Sequence, residues 1–277
     1  VDPLALHSPT LLRLAGAAFA LSARRRMRAL RLARWGVPAV TEGPVVVFAS
    51  HAGWWDGIFF LLLARALFPG RRGFVPMQAA ALGRYSLFHR LGAFPVSPRD
   101  PAEKFLGLAE RVLARDMLWM NAPGRFADVR QRPVPIAAAL VRLAERVPAA
   151  QFVPLAMEYP FWSARRPEML AGFGPPLPGA ALQAMPRPAR RAALAEALGA
   201  TMDRLAADAM ARDPARFALL QQEGLGMGGI FDRRQRGTDA GGLGKGMTGG
   251  PAGAVLPPAP PAAAPPPASA LDPELGR

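Results

Sequence analysis

Short β-prone runs alternate along this chain with longer stretches of helical character, and that alternation limits the fold more than any other feature. Extended runs are predicted over 45–50, 74–77, 93–97, 117–121, 152–159 and 168–174. Helices are predicted over 1–35, 56–68, 78–91, 101–115, 135–146 and 187–212. Pro101 suits a first helical turn, where its missing N–H is no loss. Gly36-Val37-Pro38 breaks the first helix, and 122–135 reads as a basic loop with three prolines. Strands alternating with helices predict an α/β fold, a single domain whose mostly parallel or mixed sheet is flanked by helices. Apolar residues make up 51% of the 277, so a sizeable core is available. Residues 237–277 are mainly Gly, Pro and Ala, too poor in large apolar groups to offset their ordering entropy. The expected organisation is an N-terminal amphipathic helix over 1–35, a main domain over 36–224 and a disordered tail over 225–277.

The formal net charge is +14 and the sequence pI about 11.6, which favours anionic partners. No uncharged apolar run is long enough to span a membrane; the nearest, Leu14 to Ala23, is ten residues. A signal peptide carries its positive charge before the apolar region. Here Arg24, Arg25, Arg26, Arg28, Arg31 and Arg34 follow it. Such a segment suits the surface of an anionic membrane, or equally a helix lying on its own domain with the arginines in water. A start at Val1 rather than Met is read as a trimmed or alternative start.

Several chemistries are excluded or left without support. With no cysteine there is no disulfide, thiolate metal site or cysteine nucleophile. Three scattered histidines do not suggest zinc. Neither a Gly-x-Ser-x-Gly elbow nor a phosphate-binding Gly-x-x-x-x-Gly-Lys occurs. Gly224-Leu225-Gly226-Met227-Gly228-Gly229 matches a dinucleotide fingerprint, but it follows a helix without a βαβ setting and reads as linker. The charge alone would suit nucleic acid, yet no recognised module appears, so nucleic acid is not an expected partner.

Chemistry concentrates in His51-Ala52-Gly53-Trp54-Trp55-Asp56, directly after the apolar run Val45 to Ala49. Imidazole can take a proton from a hydroxyl near neutral pH, and a carboxylate can fix its tautomer and stabilise the imidazolium. On one continuous helix, five positions turn through about 500° and part the two side chains. They converge if His51 sits on a loop after a strand and Asp56 opens the next helix, with Gly53 permitting the turn. The structural alternatives are a helix N-cap for Asp56 and a satisfied strand-end histidine for His51.

With other blocks, this pair gives residues 45 to 176 a resemblance to the glycerolipid acyltransferase family, the 1-acylglycerol-3-phosphate and other lysophospholipid acyltransferases. The first block, His-x-x-x-x-Asp after a strand, is matched by His51 to Asp56. Gly92-Ala93-Phe94-Pro95-Val96-Ser97-Pro98-Arg99 fits the second block loosely, with Arg99 at its arginine end. Val153-Pro154-Leu155-Ala156 matches the fourth. The third departs: where many members have Phe-Pro-Glu-Gly-Thr-Arg, this chain has Asn121-Ala122-Pro123-Gly124-Arg125-Phe126, keeping only Gly124 in register. Glu158-Tyr159-Pro160-Phe161-Trp162, then Arg166-Pro167-Glu168 and Gly172-Phe173-Gly174, resemble a divergent bacterial branch of the family.

The resemblance implies acyl transfer from an acyl thioester, acyl-CoA or acyl-carrier protein, to a hydroxyl of a membrane lipid acceptor, with no other cofactor and no metal. His51 is the implied general base and Asp56 its orienter. Gly124, Arg125, Arg130, Arg132 and Arg99 are implied at the acceptor, where arginine's planar fork suits phosphate; a solvated basic loop is the alternative. Trp54 and Trp55 are expected at the acyl channel or membrane interface, or else in the core. A lysophospholipid is the leading acceptor. A glycolipid, ornithine lipid or carotenoid glycoside, or a non-catalytic lipid-binding relative, remains open. The expected location is peripheral, on the cytoplasmic face of a bacterial inner membrane with anionic lipid.

Overall fold

The computed structural model describes residues 2–222 other than 41, 98 and 101. Helices α1 (Pro3–Leu6) and α2 (Pro9–Arg26) lead into β1 (Ala29–Ala33), β2 (Val45–Ala49), α3 (Asp56–Leu67) and β3 (Gly73–Gln78). There follow α4 (Ala79–Arg84), α5 (Leu87–Arg90), β4 (Ala93–Val96), α6 (Ala102–Leu113), β5 (Met117–Asn121) and α7 (Ala138–Arg146). The last described elements are β6 (Gln151–Glu158), β7 (Glu168–Phe173), β8 (Leu177–Pro178), α8 (Gly179–Ala184), α9 (Arg187–Ala211) and β9 (Phe217–Gln222).

The strands form one mixed sheet in the order β4-β3-β5-β2-β6-β7-β1-β9, with β8 paired to β6. From β4 to β6 every pair is parallel. Direction reverses between β6 and β7, β1 runs parallel to β7, and β9 runs antiparallel to β1. The expected class, α/β with helices flanking a mixed sheet, is the one observed.

Period-two alternation divides the core between the two faces. Val46, Phe48, Leu118, Met120 and Phe152 lie under α6, α7 and α9. Val45, Val47, Ala49, Trp119, Val153 and Leu155 lie under α2 and α3. All five residues of β2 are buried, as a strand covered on both faces requires. Each fully buried Phe or Leu contributes about 1.5–3 kcal/mol over leaving it exposed.

Helix α3 leaves β2 toward one face and α7 leaves β5 toward the other. These two strands are neighbours, so a crevice opens beyond their carboxyl ends, where open α/β sheets bind ligands.

Several sequence expectations need correction. The helix predicted over 1–35 ends at Arg26, and 29–33 form β1 inside the sheet. Leu30 and Leu32 are buried while Arg31 between them bonds Glu168 on β7 at 3.0 Å, a strand alternation rather than a helical stripe. The helix predicted over 78–91 is two, α4 and α5, and the one predicted from 135 starts at Ala138. Strands β8 and β9 were not anticipated. Pro101, the Gly224 to Gly229 motif and the tail over 225–277 lie outside the described residues.

Candidate active site

Strand β2 ends at Ala49, and the turn 50–55 carries His51 back over the opening of α3. Ser50 anchors the turn: its buried hydroxyl accepts the Met157 N–H at 3.1 Å on β6. Asp56 is the first residue of α3, and it does not cap its own helix; Trp55 holds the cap position, without a side-chain bond. The carboxylate instead accepts His51 Nδ1–H at 2.7 Å and the Gly53 N–H at 3.1 Å on Oδ2, and the Tyr159 hydroxyl at 2.5 Å on Oδ1. Asp56 has no exposed surface. A buried charge survives when paired and hydrogen-bonded, as this one is, and the helix N-terminus favours it further.

Tyr159 stands just past the end of β6. Burial, followed by the Asp56 charge, pushes its phenol well above the ordinary value, so it stays protonated and can only donate to the carboxylate. An acceptor-only Asp56 assigns the imidazole proton to Nδ1. That leaves Nε2 as an acceptor. The Asn121 amide donates to it at 3.4 Å, a long contact that a hydroxyl can displace. The Asn121 oxygen is buried without a partner among the described residues. Phe126 lies 4.4 Å from the His51 ring, centroid to centroid, and the Ala127 N–H bonds the His51 carbonyl, so the 122–135 loop folds over the histidine.

His51 lines a cavity of about 1630 Å³. One arm, lined from α2, α3, β3 and β5, is mainly apolar, with Leu12, Phe19, Phe60, Phe68, Val75 and Trp119, and is bordered also by Arg13, Arg65 and Arg72. Another reaches toward α6 and α7, past Ser97, Lys104, Gly124, Arg125 and Arg142. Neither Arg125 nor Arg142 has a hydrogen-bond or ion-pair partner for its side chain among the described residues. Trp54 and Phe126, 60% and 63% exposed, also border the cavity.

The structure therefore brings together His51, Asp56, Gly124, Arg125 and Trp54. Gly124 takes φ +69°, a backbone state that favours glycine. Arg130 and Arg132 are not brought to the cavity. Arg130 forks onto Asp128 at 2.8 and 2.9 Å, holding that carboxyl far below its usual range. Arg132 reaches Asp203 on α9 at 2.5 and 3.1 Å. The Arg99 side chain does not line the cavity either. Trp55 is partly buried against the core on the α3 side, which is the core role open to it.

Sequence reasoning did not single out Tyr159, Asn121 or Arg142 as site residues. The signal for the first two was position: a Tyr and an Asn at the carboxyl ends of strands beside β2. Among the described residues no group of three or more His, Cys, Asp and Glu is placed to hold a metal. Also among them, no helix is long and apolar enough to cross a membrane.

In comparisons with known proteins, no family model matches the chain and no curated protein matches it.

Proposed function

We propose that this chain is an acyltransferase, moving an acyl group from acyl-CoA or acyl-carrier protein to a hydroxyl of a membrane lipid, with a lysophospholipid as the leading acceptor. The observation that carries the proposal is a histidine held by a buried carboxylate, in the lining of a large cavity with an apolar arm. His51 Nε2 takes the hydroxyl proton as the oxygen attacks the thioester carbonyl carbon. The new C–O bond forms, the tetrahedral oxyanion collapses, the C–S bond breaks, and the leaving thiolate takes the proton back from Nε2. Asp56 balances the imidazolium in between. The apolar arm suits an acyl chain, and the unpaired Arg125 and Arg142 suit phosphate.

A peripheral place on an anionic membrane, on the cytoplasmic face in a bacterium, is part of the same proposal. It is supported by Leu14 and Leu21, exposed seven positions apart on α2, and by Arg24, Arg25 and Arg26 in its last turn.

The test is transfer from labelled acyl-CoA and acyl-carrier protein into lysophospholipid vesicles. His51→Ala is expected to lose about 10²–10⁴-fold of the rate while remaining folded, as circular dichroism and a cooperative melting transition check. A second reading, lipid binding without turnover, draws on the Asn121 amide at the base. Tight lipid binding with no transfer from either donor would establish it and overturn the first.

A further inference from the structure

The stretch from Asp2 to Ser8 straps across the amino-terminal ends of the strands. Asp2 pairs with Arg111 of α6 at 2.6 Å, and Leu4 packs against the core on that side. The Ser8 N–H bonds the carbonyl of Arg90 in α5 at 2.9 Å, and α2 then begins on the opposite face. His7 lies within this strap and lines the same cavity as His51.

The two histidines stand at opposite ends of the strands. The His7 ring is 5.4 Å from Phe74 at the start of β3. Close by, Gly92 takes φ +100°; a Cβ there would fall 2.4 Å from the Gly73 carbonyl oxygen and 3.5 Å from His7 Cδ2. Gly73 and Phe74 pair with Met117 and Leu118, whereas Ala49, two residues before His51, pairs with Asn121. Three to four residues of β5 thus separate the two levels, about 10–13 Å at about 3.3 Å each.

Among the described residues, both nitrogens of His7 are buried without a partner. Burial, with the Arg72 charge behind it, holds the ring below its ordinary pKa of 6.5, and therefore neutral at pH 7. What an unbonded neutral ring supplies at this place is shape, a planar surface in the cavity lining at the end far from His51.

We propose that His7 is the end wall that sets how long an acyl chain the cavity accepts; the proposal rests on the acyl-transfer reading above. A chain with its carbonyl at His51 meets the imidazole after about eight to ten extended carbons, each advancing about 1.3 Å. The experiment compares wild type, His7→Ala and His7→Trp with saturated acyl thioesters graded in length. In parallel, the same three proteins carrying His51→Ala bind graded free fatty acids in competition with a fluorescent fatty acid. His7→Ala is expected to favour chains about two carbons longer by about 10-fold or more in kcat/KM, relative to the wild-type optimum, because a hydrophobic pocket discriminates single methylenes on that scale. His7→Trp is expected to move the optimum the other way. An unchanged length optimum in both variants overturns the end wall. A binding optimum that moves with residue 7, without transfer from any thioester, keeps the wall and overturns acyl transfer.

Discussion

A carboxylate with no exposed surface needs its lone pairs filled, and Asp56 fills them from His51, Gly53 and Tyr159. Tyr159→Phe removes one donor and leaves Oδ1 unsatisfied. The expected cost is about 1–3 kcal/mol of stability, read by urea unfolding. If Asp56 orients the base, kcat falls in the same variant with KM little changed; an unaltered kcat would detach the phenol from the chemistry. At this scale, what was legible depended on sequence distance. His51 and Asp56 are five apart, and a turn between strand and helix brings them together. Tyr159 is 103 positions from its carboxylate, and Asn121 is 70 from the imidazole. Such meetings depend on which strands are neighbours. Arg130 and Arg132 show the converse: proximity in sequence placed them at the acceptor, but Asp128 and Asp203 draw them elsewhere.

Among the elements, those with one strong period were legible. Strand β5 over 117–121 and helix α9 from 187 fall where apolar run and Ala-rich stretch predict them. The failure at β1 is physical: a short apolar and arginine segment fits a helix or a strand equally until Glu168 on β7 receives Arg31. The N-terminal strap carries a pH prediction. Because His7 is held below the ordinary 6.5 in the folded chain, the unfolded chain binds more protons just below that pH. The stability tied to a neutral His7 is therefore complete above pH 6.5 and is lost progressively as the pH falls toward the lowered folded value. His7→Phe is expected to remove this loss and to raise Tm, since it replaces unpaired polar atoms with apolar ones of similar shape. Melting curves of both proteins from about pH 5 to 8 check it: the Tm difference should widen on the acid side. A constant difference would show that His7 does not titrate in this way.

For the whole molecule, alternation made the class legible but not the strand order, since the placing of β5 between β2 and β3 is a long-range choice. The crevice beyond β2 and β5, and with it the site, follows from that order. The charge of +14 is likewise a property of the whole. If arginines hold the protein to an anionic bilayer, raising salt from about 0.1 to 1 M shortens the screening length from about 10 to about 3 Å and should release it. Co-sedimentation with anionic vesicles measures this; retention at high salt would assign binding to apolar contacts. At one margin of the sheet, strand β4 pairs, among the described residues, with β3 alone and carries Pro95 within its four residues. Proline offers no N–H to an incoming strand, and a run this short gives little template for one. The margin bordering the cavity is thereby a poor template for strand-to-strand stacking between molecules, even with exposed aromatic rings in the site nearby.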